Sequence, residues 1–241
     1  MNIAEKTLQL KQDFDDVYEG GKKAESDAFW DIIQNYGNRT HYNSAFARWS
    51  SEYIRPRYKV VAKDANGIAS MFDGCSKLKK VEAEYFDFSQ KLTGTNNNVG
   101  YYYTFANCSV LEEIEDVGLI PQHNYYYAFS NCYNLNTIAK MGVDANTKYQ
   151  NTFQRCDNLV NLTLDGVIGQ NGFDIHWSKN LTAKSLYSII DALSTFKTGL
   201  IITLPTTAEA NYNANPPEDA PQTWAELIAT RPNWTIAYVK A

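Results

Sequence analysis

Apolar and polar positions recur along the middle of the chain in a phrase written four times. In each copy a phenylalanine is followed three residues later by cysteine, then by leucine and by an aliphatic residue at the same spacing. The copies are MFDGCSKLKKV (71–81), TFANCSVLEEI (104–114), AFSNCYNLNTI (128–138) and TFQRCDNLVNL (152–162). Phe105, Phe129 and Phe153 are 24 residues apart, whereas Phe72 lies 33 before Phe105, so the first copy carries an insertion of nine residues.

This period determines the expected architecture. A repeat length in the twenties with leucine at a set offset is typical of a leucine-rich solenoid, in which stacked units share one continuous core. The expected fold is an α/β, short right-handed leucine-rich-repeat solenoid of four to five units. In each unit the segment from phenylalanine to leucine is predicted to form a short helical turn. The residues after the leucine are predicted to form a short strand.

The alternation after each leucine predicts which way the strand side chains point. The residues expected to face inward are Val81, Ala83, Ile114, Ile138, Leu162 and Leu164. Those expected to face outward are Glu82, Glu84, Glu113, Glu115, Thr137, Ala139, Asn161 and Thr163. The exposed strand face therefore changes from acidic to neutral polar along the stack.

The four cysteines, Cys75, Cys108, Cys132 and Cys156, occupy one equivalent position in each copy. Stacking would place neighbours about 4.8 Å apart, the spacing of paired strands, which would permit a disulfide. A column of buried free thiols is the simpler prediction, because free cysteine is among the most buried residue types. The spacings contain no C-x-x-C pair, so they do not indicate a zinc site.

The sequence divides into three parts. Residues 1–42 are predicted to be an N-terminal helical segment for attachment or oligomerisation, residues 43–165 the repeats, and residues 166–241 helix–strand capping units. The amphipathic pattern over 3–19 fits an element folded onto the end of the stack. It equally fits a small bundle or coiled coil that joins copies to each other or to a larger assembly.

Both ends of the repeat region depart from the phrase. In the first unit Phe46 lies 26 residues before Phe72 and Trp49 takes the cysteine position, as suits a terminal unit that closes an open core. After residue 165 the phrase is expected to dissolve into longer units. The predicted elements are a helix over 181–196 with Thr182 as N-cap, a strand over 200–204, a helix over 223–230 and a strand over 234–239.

Tyrosines align in the same register. Tyr101, Tyr125 and Tyr149 stand four positions before the phenylalanine and are expected to be half-buried. The two following columns exchange tyrosine for Ser, Gln or Asn and so are not core. Tyrosine supplies flat apolar area and a hydroxyl at little conformational cost, which suits recognition. The candidate ligand-binding residues are Tyr102, Tyr103, Tyr126 and Tyr127, the alternative being a tyrosine ladder that only covers the stack.

Bulk composition excludes several classes of partner. The net charge of −5 and the pI near 5.3 argue against nucleic acid, which requires a basic patch. No apolar run approaches the roughly 18 residues of a membrane span. The start, MNIAEKTLQLKQDFDD, lacks a basic head followed by an apolar stretch, so no secretory signal is expected.

The sequence does not indicate a catalytic or metal site. The histidines are His41, His123 and His176, and none has a partner at helical spacing. No phosphate loop or nucleophile motif is present, and no cofactor is expected. One enzymatic alternative is a glycan hydrolase using Glu82 and Glu113 on neighbouring strands as paired carboxylates. Both lie on an open face, where nothing raises the pKa of one of them.

The phrase AF-x-x-C-x-x-L-x-x-I, over Ala69 to Leu164, resembles the BspA-like leucine-rich repeats of bacterial surface proteins. The wider layout is similar to leucine-rich-repeat proteins of Firmicutes phages and prophages. That second similarity is carried by the segments Asp13 to Phe46 and Leu181 to Gly199 together with the repeats. The resemblance implies a virion-associated or phage-encoded accessory protein that contacts the host surface, and it supplies no catalytic residues.

The functional expectation is a non-enzymatic binding module on a phage tail or head appendage that recognises a host-surface glycan or protein. It would be a homo-oligomer attached to other virion proteins through its N-terminal segment, and cytoplasmic before host lysis. A bacterial surface adhesin, or another repeat protein that binds proteins, is the alternative within the binding class.

Overall fold

The structure is a computed structural model that describes residues 44–55, 59–61, 68–88, 100–118 and 124–241. It is a mixed α/β fold with parallel sheets and short helices. The amphipathic element predicted over 3–19, and with it the N-terminal segment 1–42, lies outside the described residues.

The strands that follow the leucines form one parallel sheet. It contains β2 (Lys80–Val81), β4 (Glu113–Ile114), β5 (Thr137–Val143) and β6 (Asn161–Gly166), in that order. The register aligns Val81, Ile114, Ile138 and Leu162, and all four are buried as predicted. Ala83 and Leu164 are only partly buried. A second pair, β1 (Val60–Val61) with β3 (Phe86–Asp87), lies outside this sheet.

The segment from phenylalanine to leucine is not the predicted helical turn. It is a chain of i→i+3 turns, such as Cys108 N to Phe105 O at 3.3 Å and Leu111 N to Cys108 O at 3.1 Å. Two residues in each unit have left-handed backbone, at the positions two before and two after the phenylalanine. The first set is Ser44, Ser70, Tyr103, Tyr127 and Asn151, and the second Arg48, Gly74, Asn107, Asn131 and Arg155.

These left-handed residues prevent a helix from propagating, and they turn alternate N–H groups toward the next unit. Phe72 N donates to Thr104 O at 2.8 Å, and Phe105 N donates to Ala128 O at 2.9 Å. A second ladder, one residue after the leucine, runs from Glu52 through Lys79, Glu112, Asn136 and Val160 to Thr182. Backbone hydrogen bonds therefore join successive units on two sides of one core.

The core is built from columns of equivalent side chains. Phe46, Phe72, Phe105, Phe129 and Phe153 stack with ring centroids 5.3 to 5.6 Å apart. The four cysteines are free and buried, as predicted. Each thiol donates to the carbonyl of the preceding unit's phenylalanine, for example Cys132 Sγ to Phe105 O at 2.9 Å. Burial raises the pKa of the Cys132 thiol, which disfavours the nucleophilic thiolate at this position.

The prediction that the phrase dissolves after residue 165 is wrong by one unit. Ile175, Ser178 and Leu181 reproduce the phenylalanine, cysteine and leucine spacing, and all three are buried. The backbone repeats the same bonds, since Ser178 N donates to Ile175 O at 3.0 Å and Thr182 N to Val160 O at 3.0 Å. This unit is hard to recognise in the sequence, because Ile175 replaces the phenylalanine and Ser178 replaces the cysteine.

The C-terminal part contains α1 (Ala183–Asp191), β7 (Leu200–Pro205), α2 (Ala208–Ala214), α3 (Trp224–Ala229) and β8 (Trp234–Val239). Thr182 caps α1 as predicted, but α1 ends well before Phe196, whose side chain is 94% exposed. The helix α2 was not predicted. Thr223 and Glu226 form a capping box on α3, and β7 pairs in parallel with β8.

Candidate functional site

The candidate site is the tyrosine strip, formed by Tyr102, Tyr103, Tyr126 and Tyr127 in two neighbouring units. Tyr102 is 38% exposed, and the other three are half-buried. The structure therefore places all four on the outside of the stack, although three are covered more than an isolated surface side chain would be.

Two of the four tyrosines have a strained backbone. Tyr103 has φ 54° and Tyr127 φ 55°, a region where bulky residues are genuine outliers. Each is held there by the inter-unit ladder, through Tyr103 N to Tyr126 O at 3.0 Å and Tyr127 N to Gln150 O at 3.1 Å. The equivalent position in the flanking units is occupied by Ser70 and Asn151. Asparagine in particular tolerates this conformation better than tyrosine does. Apart from Asn151, the side-chain pattern of this column does not indicate this sign of φ.

The rings of the strip contact each other. Tyr103 and Tyr127 are stacked, with centroids 4.8 Å apart and an interplanar angle of 5°. Tyr102 meets Tyr103 nearly at right angles, with centroids 4.6 Å apart. Tyr126 has no ring contact with another aromatic side chain in the part of the chain that the structure describes. The stack covers one face of each paired ring, so the strip is a preorganised block rather than four independent side chains.

The neighbouring tyrosine column differs from the expectation. Tyr101, Tyr125 and Tyr149 are completely buried rather than half-buried. The hydroxyl of Tyr125 donates to Gly142 O at 2.8 Å and to Gly118 O at 3.1 Å. Burial raises the pKa of Tyr125 well above its usual value. These rings extend the core, and none of them contributes to a binding surface.

The outer strand face carries paired charges. The Arg55 guanidinium bonds both carboxylate oxygens of Glu82, at 2.9 and 3.2 Å. Lys80 lies 3.2 Å from Glu113 and 2.8 Å from Glu115. Hydrogen bonds from Lys80 and then from the Ala83 N–H hold the pKa of Glu115 below its usual value. The two carboxylates of the hydrolase alternative, Glu82 and Glu113, are thus each engaged by a cation.

The remaining chemical groups do not converge. Within the described ranges no group of three or more His, Cys, Asp or Glu side chains is placed to hold a metal ion. His176 Nδ1 lies 2.6 Å from Asp174 Oδ1, a local pair two residues apart. His41 and His123 lie outside the described residues.

An open cavity of about 460 Å³ lies at the C-terminal end, between α3 and β8. Its lining is mostly apolar and includes Ile228, Trp234, Ile236 and Tyr238. Trp234 Nε1 donates inward to Ser194 O at 2.9 Å, and Trp224 Nε1 donates to Tyr238 at 2.8 Å. The polar edges of these rings are therefore used in packing the cap.

Comparisons of the chain with family profiles, with curated proteins and with solved structures gave no match. Among the residues that the structure describes, no helix has the length and apolar character needed to cross a membrane.

Proposed function

We propose that the chain is a short right-handed leucine-rich-repeat solenoid of the BspA-like type. The 24-residue period, the parallel register of successive strands and the stacked phenylalanine and cysteine columns support this assignment. Solenoids expose a long rigid surface whose side chains vary without disturbing the core, so they suit recognition.

Its proposed function is that of a non-enzymatic, virion-associated binding module of a phage, recognising a host-surface glycan or protein through the tyrosine strip. The observation that carries this proposal is the left-handed backbone of Tyr103 and Tyr127. A non-glycine residue in this region costs about 1–3 kcal/mol, and the repeat imposes this backbone at the same position in the flanking units, which fill it with Ser70 and Asn151. Two adjacent units accept that cost with tyrosine, and the result is a preformed aromatic surface.

The alternatives rest on weaker observations. A glycan hydrolase needs one carboxyl group with a raised pKa, whereas Glu82 and Glu113 are each paired with a cation. Host polysaccharide releasing reducing ends, with loss of that release in Glu82→Gln or Glu113→Gln, would support the hydrolase instead. A bacterial surface adhesin would use the same strip, and it differs only in what carries the protein.

The proposal includes attachment to other virion proteins, and homo-oligomerisation, through residues 1–42. Light scattering on the full chain and on a chain beginning at Ser26 tests this part. An oligomeric mass for the full chain and a monomeric mass for the shorter one is the expected result. Equal monomeric masses would remove the N-terminal segment from any role in oligomerisation.

The decisive test of binding uses fluorescently labelled protein on Firmicutes cells. The variant in which Tyr102, Tyr103, Tyr126 and Tyr127 are all alanine should keep its circular dichroism spectrum and lose cell binding. A control replaces an exposed tyrosine elsewhere, Tyr53, which is 39% exposed, and it should bind as wild type does. Undiminished binding by the quadruple variant would exclude the strip as the site.

A further inference from the structure

The left-handed position two before the phenylalanine forms one straight column through five units. Its φ values, at Ser44, Ser70, Tyr103, Tyr127 and Asn151, lie between 54° and 55°. The side chains therefore leave the backbone in equivalent directions, one above the next. The 4.8 Å between the Tyr103 and Tyr127 rings equals the roughly 4.8 Å spacing of hydrogen-bonded strands. Each rung of this column thus has room for one flat ring.

The two ends of the stacked pair differ. At one end Tyr102 packs against Tyr103, with centroids 4.6 Å apart. At the other end the next rung carries Asn151, whose side chain is too short to fill the place of a third ring. No other aromatic ring contacts Tyr127 within the described residues. The outer face of Tyr127 therefore borders a space one ring thick.

The next unit carries neutral amides at the two positions equivalent to Tyr126 and Tyr127. Asn151 takes the position equivalent to Tyr127 in the next unit and is partly buried. Gln150, the residue before it, is exposed. Neither side-chain amide forms a hydrogen bond to another residue in the described part of the chain. Each amide supplies both donors and acceptors. An aromatic side chain of a partner protein would leave these amides unpaired, whereas a pyranose ring presents an apolar C–H face together with hydroxyls that can bond them.

We propose that this space is a carbohydrate subsite, in which one pyranose ring of a neutral glycan stacks on the outer face of Tyr127 and is hydrogen-bonded by Asn151 and Gln150. The proposal rests on the binding function of the tyrosine strip and narrows its ligand from a glycan or protein to a neutral glycan. It also predicts directionality, because the glycan chain must approach from the Asn151 side of the pair.

Filling the space tests the proposal directly. In Asn151→Tyr a third ring would occupy the subsite in a conformation that Tyr103 and Tyr127 already adopt. Binding would be measured by biolayer interferometry against immobilised neutral polysaccharides, namely glucan, mannan, galactan and N-acetylglucosamine oligomers. Wild type should bind at least one of them, and Asn151→Tyr should bind it at least tenfold more weakly. The matched control Ser44→Tyr places the same ring in the same left-handed column, one unit further from Tyr103 than Ser70, and should stay within twofold of wild type.

A second variant covers the possibility that Asn151→Tyr fails to fold. Asn151→Gly suits the left-handed backbone, leaves the space open and removes the amide, so it should weaken binding about five- to tenfold with an unchanged circular dichroism spectrum. Binding of folded Asn151→Tyr within twofold of wild type would overturn the subsite and leave the proposed function intact. Tyrosine-dependent binding to cells that is abolished by protease treatment, without binding to any polysaccharide, would identify a protein ligand and also overturn it. If wild type bound neither cells nor polysaccharides, the proposed function and the subsite would fail together.

Discussion

Two tyrosine columns lie two residues apart in the same units and have opposite environments. In the inner column Tyr101 and Tyr125 stack with centroids 4.9 Å apart, and in the outer column Tyr103 and Tyr127 stack at 4.8 Å. The ring geometry is nearly identical, yet the inner rings are completely buried and the outer pair is half-exposed. Stacking therefore follows from the repeat spacing alone, and it does not by itself distinguish a structural ladder from a recognition surface.

Backbone and hydroxyl partners do distinguish the columns. The outer tyrosines have left-handed backbone, while the inner ones do not. The buried Tyr125 hydroxyl is satisfied by the carbonyls of Gly118 and Gly142. Stability should consequently depend on the inner columns, and binding on the outer one.

The largest expected effect on stability comes from placing a charge in the buried core, at the cysteine column. Cys132→Asp buries a carboxylate without a cation and should lower the free energy of unfolding by about 5 kcal/mol or more, or prevent folding. Cys132→Ser keeps a donor toward Phe105 O and should cost about 1–3 kcal/mol. Urea denaturation of both, with the exposed Asn134→Asp as the charge-matched control, measures the difference. A wild-type melting temperature for Cys132→Asp would mean that the thiol column is not buried.

The second effect separates ring volume from hydroxyl in the inner column. Tyr125→Ala should cost about 3–5 kcal/mol, because a large buried side chain leaves a cavity. Tyr125→Phe should cost about 1–3 kcal/mol, since the carbonyls of Gly118 and Gly142 lose their donor. Tyr101→Phe is the control, because the buried Tyr101 hydroxyl lacks the two well-formed bonds to carbonyls that the Tyr125 hydroxyl makes. Equal losses in the two phenylalanine variants would contradict the role given to the Tyr125 hydroxyl.

The inner region was the more predictable of the two from the sequence. The cysteine column and the alignment of Val81 with Ile114 follow from which side chains recur every 24 residues, because a repeated apolar residue must occupy a repeated core position. The burial of Tyr125 was underestimated, since a hydroxyl suggests partial exposure unless its carbonyl partners are known. The unit at Ile175 was missed because it keeps the spacing but changes both marker residues.

The outer region was predictable only in outline. Columns that exchange Tyr103 or Tyr127 for Ser and Asn are recognisably outside the core. Their left-handed backbone was not foreseen, because φ depends on hydrogen bonds between units that no single phrase contains. Gly74 and the asparagines at 107 and 131 hint at left-handed backbone two residues after the phenylalanine. At the tyrosine position the corresponding hint is Asn151 alone.

Two adjacent carboxylates, Glu115 and Asp116, should make stability depend on pH in opposite ways. Burial raises the pKa of Asp116, whereas Lys80 lowers that of Glu115. A raised folded-state pKa means that Asp116 destabilises at neutral pH and that this effect disappears as the pH falls through the raised value. Glu115 stabilises above its unfolded pKa, and that contribution is lost as the pH falls through its lowered value.

Thermal melts from pH 7 to pH 3 measure both contributions. At pH 7 Asp116→Asn should raise the melting temperature and Glu115→Gln should lower it, and both differences should shrink toward pH 3. The Glu115 effect should be about 1 kcal/mol or less and fall with added salt, because the pair with Lys80 is partly exposed. Shifts of the same sign in the two variants would contradict the different environments assigned to these neighbours.

The smallest expected change in stability is at the outer column, in Tyr127→Asn. Left-handed backbone costs a tyrosine about 1–2 kcal/mol, which asparagine largely avoids. Removing the ring forfeits a stacked pair worth about 0.5–1.5 kcal/mol. The two terms nearly cancel, so the free energy of unfolding in urea should change by less than about 1 kcal/mol. Asn151 shows that asparagine fits this position, with φ 55°.

A loss above about 2 kcal/mol, more than the stacked pair is worth, would mean that the outer tyrosines cover the stack as structural residues. A near-zero change together with lost cell binding would separate the two columns by role, because the Tyr127 ring would then contribute to recognition and not to stability.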